Sequence, residues 1–188
     1  MKFLHMTWGD IQRLCEAVAE KVRKAGYCPD MIVAISRGGF PPARILCDLL
    51  DVKALASVGI EYYKAVKDTK RKPVILYPLN ADVKAKKILI VDDVADTGHS
   101  LAVARDHVLG EGASDVRIAT LHRKPWSVVE PDFYAEDTDA WIVYVWEVRE
   151  TVRQLTLKLR GEGKKGEEIK KELMSQGFRE KTLRDLLG

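Results

Sequence analysis

The chain has no apolar run near the roughly 20 residues that cross a bilayer, so a transmembrane helix is not expected. Its start, "MKFLHMTWGD", has neither a long apolar segment nor a small-residue cleavage site, which argues against a secretory leader. The expected location is the cytoplasm. Cysteine is scarce: Cys15, Cys28 and Cys47 are odd in number and widely spaced. That spacing excludes the close thiolate pairing of a zinc site and gives no disulfide framework. The three are expected to be buried free thiols in a reducing compartment. A G-x-x-x-x-G-K-[ST] loop is missing, which excludes a Walker-type nucleotide site. No internal repeat is visible.

What is present suits a globular chain. The 188 residues are 46% apolar and 31% charged, enough for one domain with a sizeable core plus an appendage. The net charge of +3 is modest but unevenly placed. Residues 149–188 carry 11 Lys and Arg against 7 Asp and Glu, so the tail is basic and the remainder close to neutral.

"TWGDIQRLCEAVAEKVRKAG" places Ile11, Leu14, Cys15, Val18 and Val22 at helical spacing, with Thr7 and Asp10 in a capping-box arrangement and Gly26 as a stop. "MIVAIS" (31–36) is a short apolar run suited to a strand buried on both faces. "PPARILCDLL" (41–50) opens with prolines and continues as a helix. Residues 52–63, 73–79, 87–93, 116–122 and 141–146 complete the strand candidates, and 100–112 reads as another helix. Strands alternating with helices imply an α/β fold, a mainly parallel central sheet flanked by helices. After residue 148 three helical stretches follow without a strand, jointed at "GEGKKG" (161–166). The expected domains are therefore 1–148 and a helical appendage, 149–188.

The chemistry concentrates in "ILIVDDVADTGHS" (88–100). Ligands of open parallel sheets bind beyond the carboxyl ends of the strands. Here a strand ends in Asp92 and Asp93, and Asp96 follows in a turn that opens a helix. A helix N-terminus with free amides binds phosphate, Thr97 and Ser100 add hydroxyls, and Gly98 admits close backbone approach. Two carboxylates beside a phosphate make sense where they accept hydrogen bonds from sugar hydroxyls or hold a divalent metal. A pentose 5-phosphate fits that span, with Asp96 over the reacting end of the sugar, able to exchange a proton.

This stretch resembles the phosphoribosyl-pyrophosphate motif of the type I phosphoribosyltransferases: two acids, two spacers, then Asp-Thr-Gly-x-Ser/Thr. The resemblance covers most of residues 1–147 and implies the type I fold with a small hood. "VAISRGGFPPARIL" is similar to the family's pyrophosphate loop, so Ser36, Arg37, Gly38 and Gly39 are expected to grip the pyrophosphate, Arg37 through its guanidinium fork. "KAVKDTKRK" (64–72) resembles the family's closing loop, whose Lys64, Lys67, Lys70, Arg71 and Lys72 would help hold an anionic substrate. Relatives often have Ser-Tyr at its head; here the pair is Tyr62-Tyr63, and Tyr63 is the expected substrate contact.

Residues 122–147 are similar to the bacterial xanthine-guanine branch. That similarity implies that Lys124 bonds a 6-oxo group, that Trp141 stacks on the purine and that the Ile142 carbonyl meets the base edge. It also implies Mg2+, with Asp93 as metal ligand, and a homodimer or tetramer. Position 99 is His where many relatives have a small residue or lysine, and His99 is counted with the phosphate turn. Ser100 keeps the hydroxyl of the commoner Thr, while Val143 is apolar where some relatives carry an acid, so the preferred oxopurine stays open. The expected activity is purine salvage, with phosphoribosyl pyrophosphate and a purine base as small-molecule partners. A competing reading is a regulator of the same fold that takes phosphoribosyl pyrophosphate or a nucleotide as effector. "EEIKKELMSQGFREKTLRDLL" motivates it, being loosely like a helix-turn-helix, although Ile169, Leu173, Leu183, Leu186 and Leu187 suit packing better than nucleic-acid binding.

Overall fold

The computed structural model describes residues 2–63, 72–79 and 81–187. The elements are β1 (Phe3–His5), α1 (Trp8–Lys24), β2 (Met31–Ser36), α2 (Phe40–Leu49), β3 (Leu55–Tyr63), β4 (Lys72–Tyr77), β5 (Lys87–Ala95), α3 (His99–Gly110), β6 (Asp115–Arg123), β7 (Phe133–Asp137), β8 (Trp141–Val143), α4 (Val148–Gly161), α5 (Gly166–Ser175) and α6 (Glu180–Leu187). Contacts divide the chain into two compact units, one of residues 11–139 and one of residues 1–10 with 140–188.

The larger unit is built on a six-stranded sheet in the order β4-β3-β2-β5-β6-β7. Every pairing is parallel except β3 with β4. β2 and the Ile88–Val91 stretch of β5 are runs of buried apolar residues, as central strands covered on both faces must be. Met31, Val33, Ile35, Ile88, Ile90 and Ile118 pack with Leu101, Ala104 and Val108 of α3. The intervening Ile32, Ala34, Leu89, Val91, Ala119 and Leu121 are buried on the opposite face. The connection from β2 through α2 runs to β3, and that from β5 through α3 runs the other way to β6. Such a reversal opens a crevice at the carboxyl ends of the two central strands. Those ends are Ser36 and Ala95, the two chemically loaded turns of the sequence.

In the smaller unit β1 and β8 form a parallel pair, Phe3 opposite Trp141 and Leu4 opposite Ile142. Val143, Val152, Leu155, Leu159, Ile169, Leu173, Phe178 and Leu183 make its apolar cluster. Residues 140–148, grouped with the first domain on sequence, thus pack with the tail, because β8 pairs with β1 and Val143 enters that cluster.

Three expectations change. The strand expected over 141–146 is only Trp141–Val143 and belongs to the two-stranded sheet. The edge of the main sheet is β7, whose mixed "FYAED" has no continuous apolar signal. Cys15 and Cys47 are buried free thiols, but Cys28 is exposed, lying in the loop after α1. The Thr7 cap is as expected: its amide donates to Asp10 Oδ2 at 2.9 Å and its Oγ1 accepts from the Asp10 amide at 3.2 Å. Lys64, Lys67, Lys70 and Arg71 lie outside the described residues. Among the described residues no helix is long and apolar enough to cross a membrane.

Candidate active site

A cleft of about 380 Å3 opens at the end of β5, lined by Tyr62, Asp92, Asp93, Val94, Asp96, Thr97, Gly98, Ser100 and Leu101. Six of the residues expected from sequence therefore share one cavity. The acids differ in setting. Asp93 is buried, Asp92 is half-buried with its Oδ1 accepting from the Asp93 amide at 3.0 Å, and Asp96 is exposed. Strand alternation sends Asp92 and Asp93 to opposite faces of β5, which separates two like charges on neighbouring residues.

The pyrophosphate-type turn abuts this acidic end. A Cβ on Gly38 would collide with the Asp93 carboxylate, and one on Gly39 with the Val91 and Ile35 carbonyl oxygens. Both positions therefore need glycine on space alone. The Ser36-Arg37 peptide is cis. The Gly39 amide is engaged by Ile35 O at 2.8 Å and that of Phe40 by Arg37 O at 3.2 Å, while Pro41 and Pro42 carry none. The turn can therefore offer amides to an anion only ahead of Gly39, where Arg37 is exposed.

The second turn is a helix start without a side-chain cap. Gly98 precedes α3 at φ 82°, a left-handed conformation that glycine adopts freely. A Cβ there would stand 2.6 Å from Ser127 Oγ and 2.7 Å from the Val129 amide nitrogen. The first-turn amides of α3 and the hydroxyls of Thr97 and Ser100 are a donor set that can serve as an anion seat. The Tyr62 hydroxyl touches that seat, 3.0 Å from Thr97 Oγ1 and accepting from Ser100 Oγ at 3.3 Å. Tyr63, the contact expected from sequence, ends β3, and its side chain lies outside the described residues. His99 is exposed as the first residue of α3.

Lys124 follows β6 and is buried. Its amide donates to Ala95 O at 2.9 Å, which fastens the segment after β6 to the end of β5. Burial lowers its pKa, against the raising influence of Asp96 and Asp139. The Lys124 ammonium stands 5.5 Å from the centre of the Trp126 ring, and the Trp126 indole donates to Asp96 Oδ1 at 2.9 Å. Trp126 was missed on sequence; its signal was an aromatic in a short Pro turn two residues beyond a chosen lysine. Behind Lys124, His122 is fully buried and its pKa is pushed down to about 4, chiefly by burial and secondarily by Lys124 and Arg13, with Glu136 opposing.

Trp141 and Ile142 lie on β8 in the smaller unit. Trp141 is exposed, its ring 6.4 Å from that of Phe3, and Ile142 is buried. Among the described residues no group of three or more His, Cys, Asp and Glu is placed to hold a metal by itself.

This arrangement has close counterparts. The chain matches the Phosphoribosyl transferase domain over residues 7–153. It is 29% identical over 159 residues to the xanthine-guanine phosphoribosyltransferase of Ruegeria sp. (strain TM1040), covering 78% of this chain and 86% of that protein. It is 40% identical to a solved purine phosphoribosyltransferase from Pyrococcus horikoshii Ot3, with a TM-score of 0.69 over 78% of this chain and 94% of that one. A hypothetical protein from Neisseria gonorrhoeae, solved with bound ppGpp, is 29% identical with a TM-score of 0.71, covering 78% and 89% of the two chains. Sequence match, sheet order and the cleft at the β2/β5 crevice agree: the chain belongs to the phosphoribosyltransferase family, in its purine branch, and is an enzyme of the pentosyltransferase class.

Proposed function

We propose that the protein transfers the 5-phosphoribosyl group from phosphoribosyl pyrophosphate to a 6-oxopurine, giving the nucleoside monophosphate and pyrophosphate. The observation that carries this reading is the single cleft that joins three carboxylates to an uncapped helix start with two hydroxyls, against which the Ser36–Gly39 turn abuts. Asp92 and Asp93 accept hydrogen bonds from the ribose hydroxyls. Thr97, Gly98, His99 and Ser100 seat the 5-phosphate, and Arg37 with its turn holds the pyrophosphate. As a purine ring nitrogen bonds to the anomeric carbon, that carbon's bond to pyrophosphate breaks and pyrophosphate leaves with the electron pair. Positive charge develops on the ribose and the acidic cluster complements it. The purine's ring proton passes to Asp96.

Lys124 donates to the 6-oxo group, an interaction an exocyclic amine cannot return. Trp141 and Ile142 serve the base through stacking and a backbone carbonyl. Mg2+ is usually bound by one or two carboxylates with substrate oxygens and water, and the buried Asp93 beside Asp92 fits that mode. There Asp93 would hold the ion, which supplies charge neutralisation for the departing pyrophosphate. The transferase proper is assigned to residues 1–148, in keeping with a family match that ends at 153. Residues 149–188 form a packing appendage, as the burial of Ile169, Leu173 and Leu183 supports. A homodimer or tetramer acting in the cytoplasm completes the reading.

Incubation with phosphoribosyl pyrophosphate, Mg2+ and each of guanine, xanthine, hypoxanthine and adenine is expected to yield nucleotide from an oxopurine and not from adenine. No nucleotide from any oxopurine defeats the reading. Asp96→Asn is expected to lower kcat at least about 100-fold, as general-base losses do, with substrate affinities kept within a few-fold. Unchanged turnover removes Asp96 from the chemistry. The similarity to the Neisseria protein favours one second reading, a nucleotide-responsive regulator. Binding of ppGpp by the full chain without turnover of any purine selects it.

A further inference from the structure

The exposed Trp126 is joined to both Asp96, which lines the cleft, and Lys124. Its indole Nε1–H donates to Asp96 Oδ1 at 2.9 Å, and its ring lies under the Lys124 ammonium at 5.5 Å. Asp96 is exposed in the turn before α3, and among the described residues its Oδ2 accepts no hydrogen bond. The turn that carries Trp126 is itself fixed. Ser127 N donates to Lys124 O at 3.0 Å, Val128 N donates to Thr97 O at 3.0 Å, and Gly98 packs against Ser127 and Val129. The indole is therefore a braced arm and Asp96 the movable partner.

We propose that Trp126 is a positioning residue for the transfer. By holding Oδ1, it fixes the Asp96 rotamer so that Oδ2 is the oxygen presented to the purine proton, and by stacking under Lys124 it fixes the distance between proton acceptor and oxo-group donor. The inference rests on the reading of Asp96 as proton acceptor and Lys124 as base ligand. A held rotamer removes a conformational search from the proton-transfer step, so the interaction is spent on turnover rather than on binding.

Trp126→Phe keeps the ring and its stacking on Lys124 but deletes the donor. The expected result is a kcat lowered about tenfold, with KM for phosphoribosyl pyrophosphate within twofold and an unchanged melting temperature. In the Asp96→Asn background the same substitution is expected to add nothing, because the two act as one unit. A kcat within twofold of wild type, or full additivity with Asp96→Asn, overturns the proposal. A second measurement does not depend on activity. Among the indole N–H signals of the four tryptophans, read by nitrogen-proton correlation spectroscopy, the one lost in Trp126→Phe is expected to move upfield in Asp96→Ala. A signal indifferent to Asp96 overturns the geometry itself, whereas a wild-type protein inert toward every oxopurine, with this signal coupled to Asp96, defeats the reading of the function instead.

Discussion

Gly98 carries more constraint than any neighbour in its turn. Its backbone is left-handed at φ 82°, and the space where a side chain would begin is filled by Ser127 and the Val129 amide. The glycine therefore does two things at once: it lets the chain turn from Ala95 into α3, and it lets the segment after Lys124 close down on the Thr97–Ser100 turn. Gly98→Ala is expected to cost about 2 kcal/mol, the left-handed penalty and the forced contact together, measured as a shift in the urea midpoint. It is also expected to raise KM for phosphoribosyl pyrophosphate, because relief of the clash moves the Thr97 hydroxyl. An equally stable alanine variant with wild-type KM would show that the seat tolerates the displacement. Gly26 is the useful contrast. It too has a positive φ, 63°, but a Cβ there meets nothing within 4 Å, so only the backbone term applies.

At the level of elements, β3 reaches the start of α3 through a polar contact, the Tyr62 hydroxyl between Thr97 and Ser100. Those two hydroxyls are the ones assigned to the 5-phosphate, so phenol and phosphate compete for them. Tyr62→Phe is expected to tighten binding of phosphoribosyl pyrophosphate about threefold, the scale of one exposed hydrogen bond, as read by titration calorimetry. Weaker binding in that variant would make Tyr62 a phosphate ligand instead. The sequence showed the acidic strand end and both glycine turns because each is a local pattern: apolar run, then acids, then hydroxyls and glycine within a dozen residues. It showed the helices of α1 and the tail for the same reason, through periodicity. Tyr62 and Trp126 were hidden because what matters in each is a partner 30 to 38 residues away in sequence, and His122 because what matters there is its burial within the folded sheet. β7 and β1 were hidden because strands this short owe their existence to a neighbour's free edge rather than to their own residues.

On the scale of the whole larger unit, β6 is fixed between β5 and β7, with His122 opposite Val94 on one side and Glu136 on the other. His122 is fully buried there, and its pKa is pushed from 6.5 down to about 4 by burial first, with Lys124 and Arg13 adding and Glu136 opposing. In the unfolded chain the imidazole takes up a proton near pH 6.5; in the folded protein it does so only near 4. Between those values the unfolded state binds more protons, so the stability contributed by neutral His122 is complete above about pH 6.5 and is lost as pH falls toward 4. From pH 7 to pH 5 the loss is about 2 kcal/mol, and the site shares it, because a charged imidazole would sit beside the buried Lys124 ammonium and strain the segment that carries Trp126. Denaturant melts of the wild type and of His122→Gln at pH 7, 6 and 5 test this directly. The variant is expected to be less stable at pH 7 yet to lose about 2 kcal/mol less between pH 7 and pH 5, which separates the imidazole from the carboxylates common to both proteins. Parallel pH profiles of stability in the two proteins would show that His122 is not protonated on unfolding in this range, and would place the acid sensitivity of the sheet elsewhere.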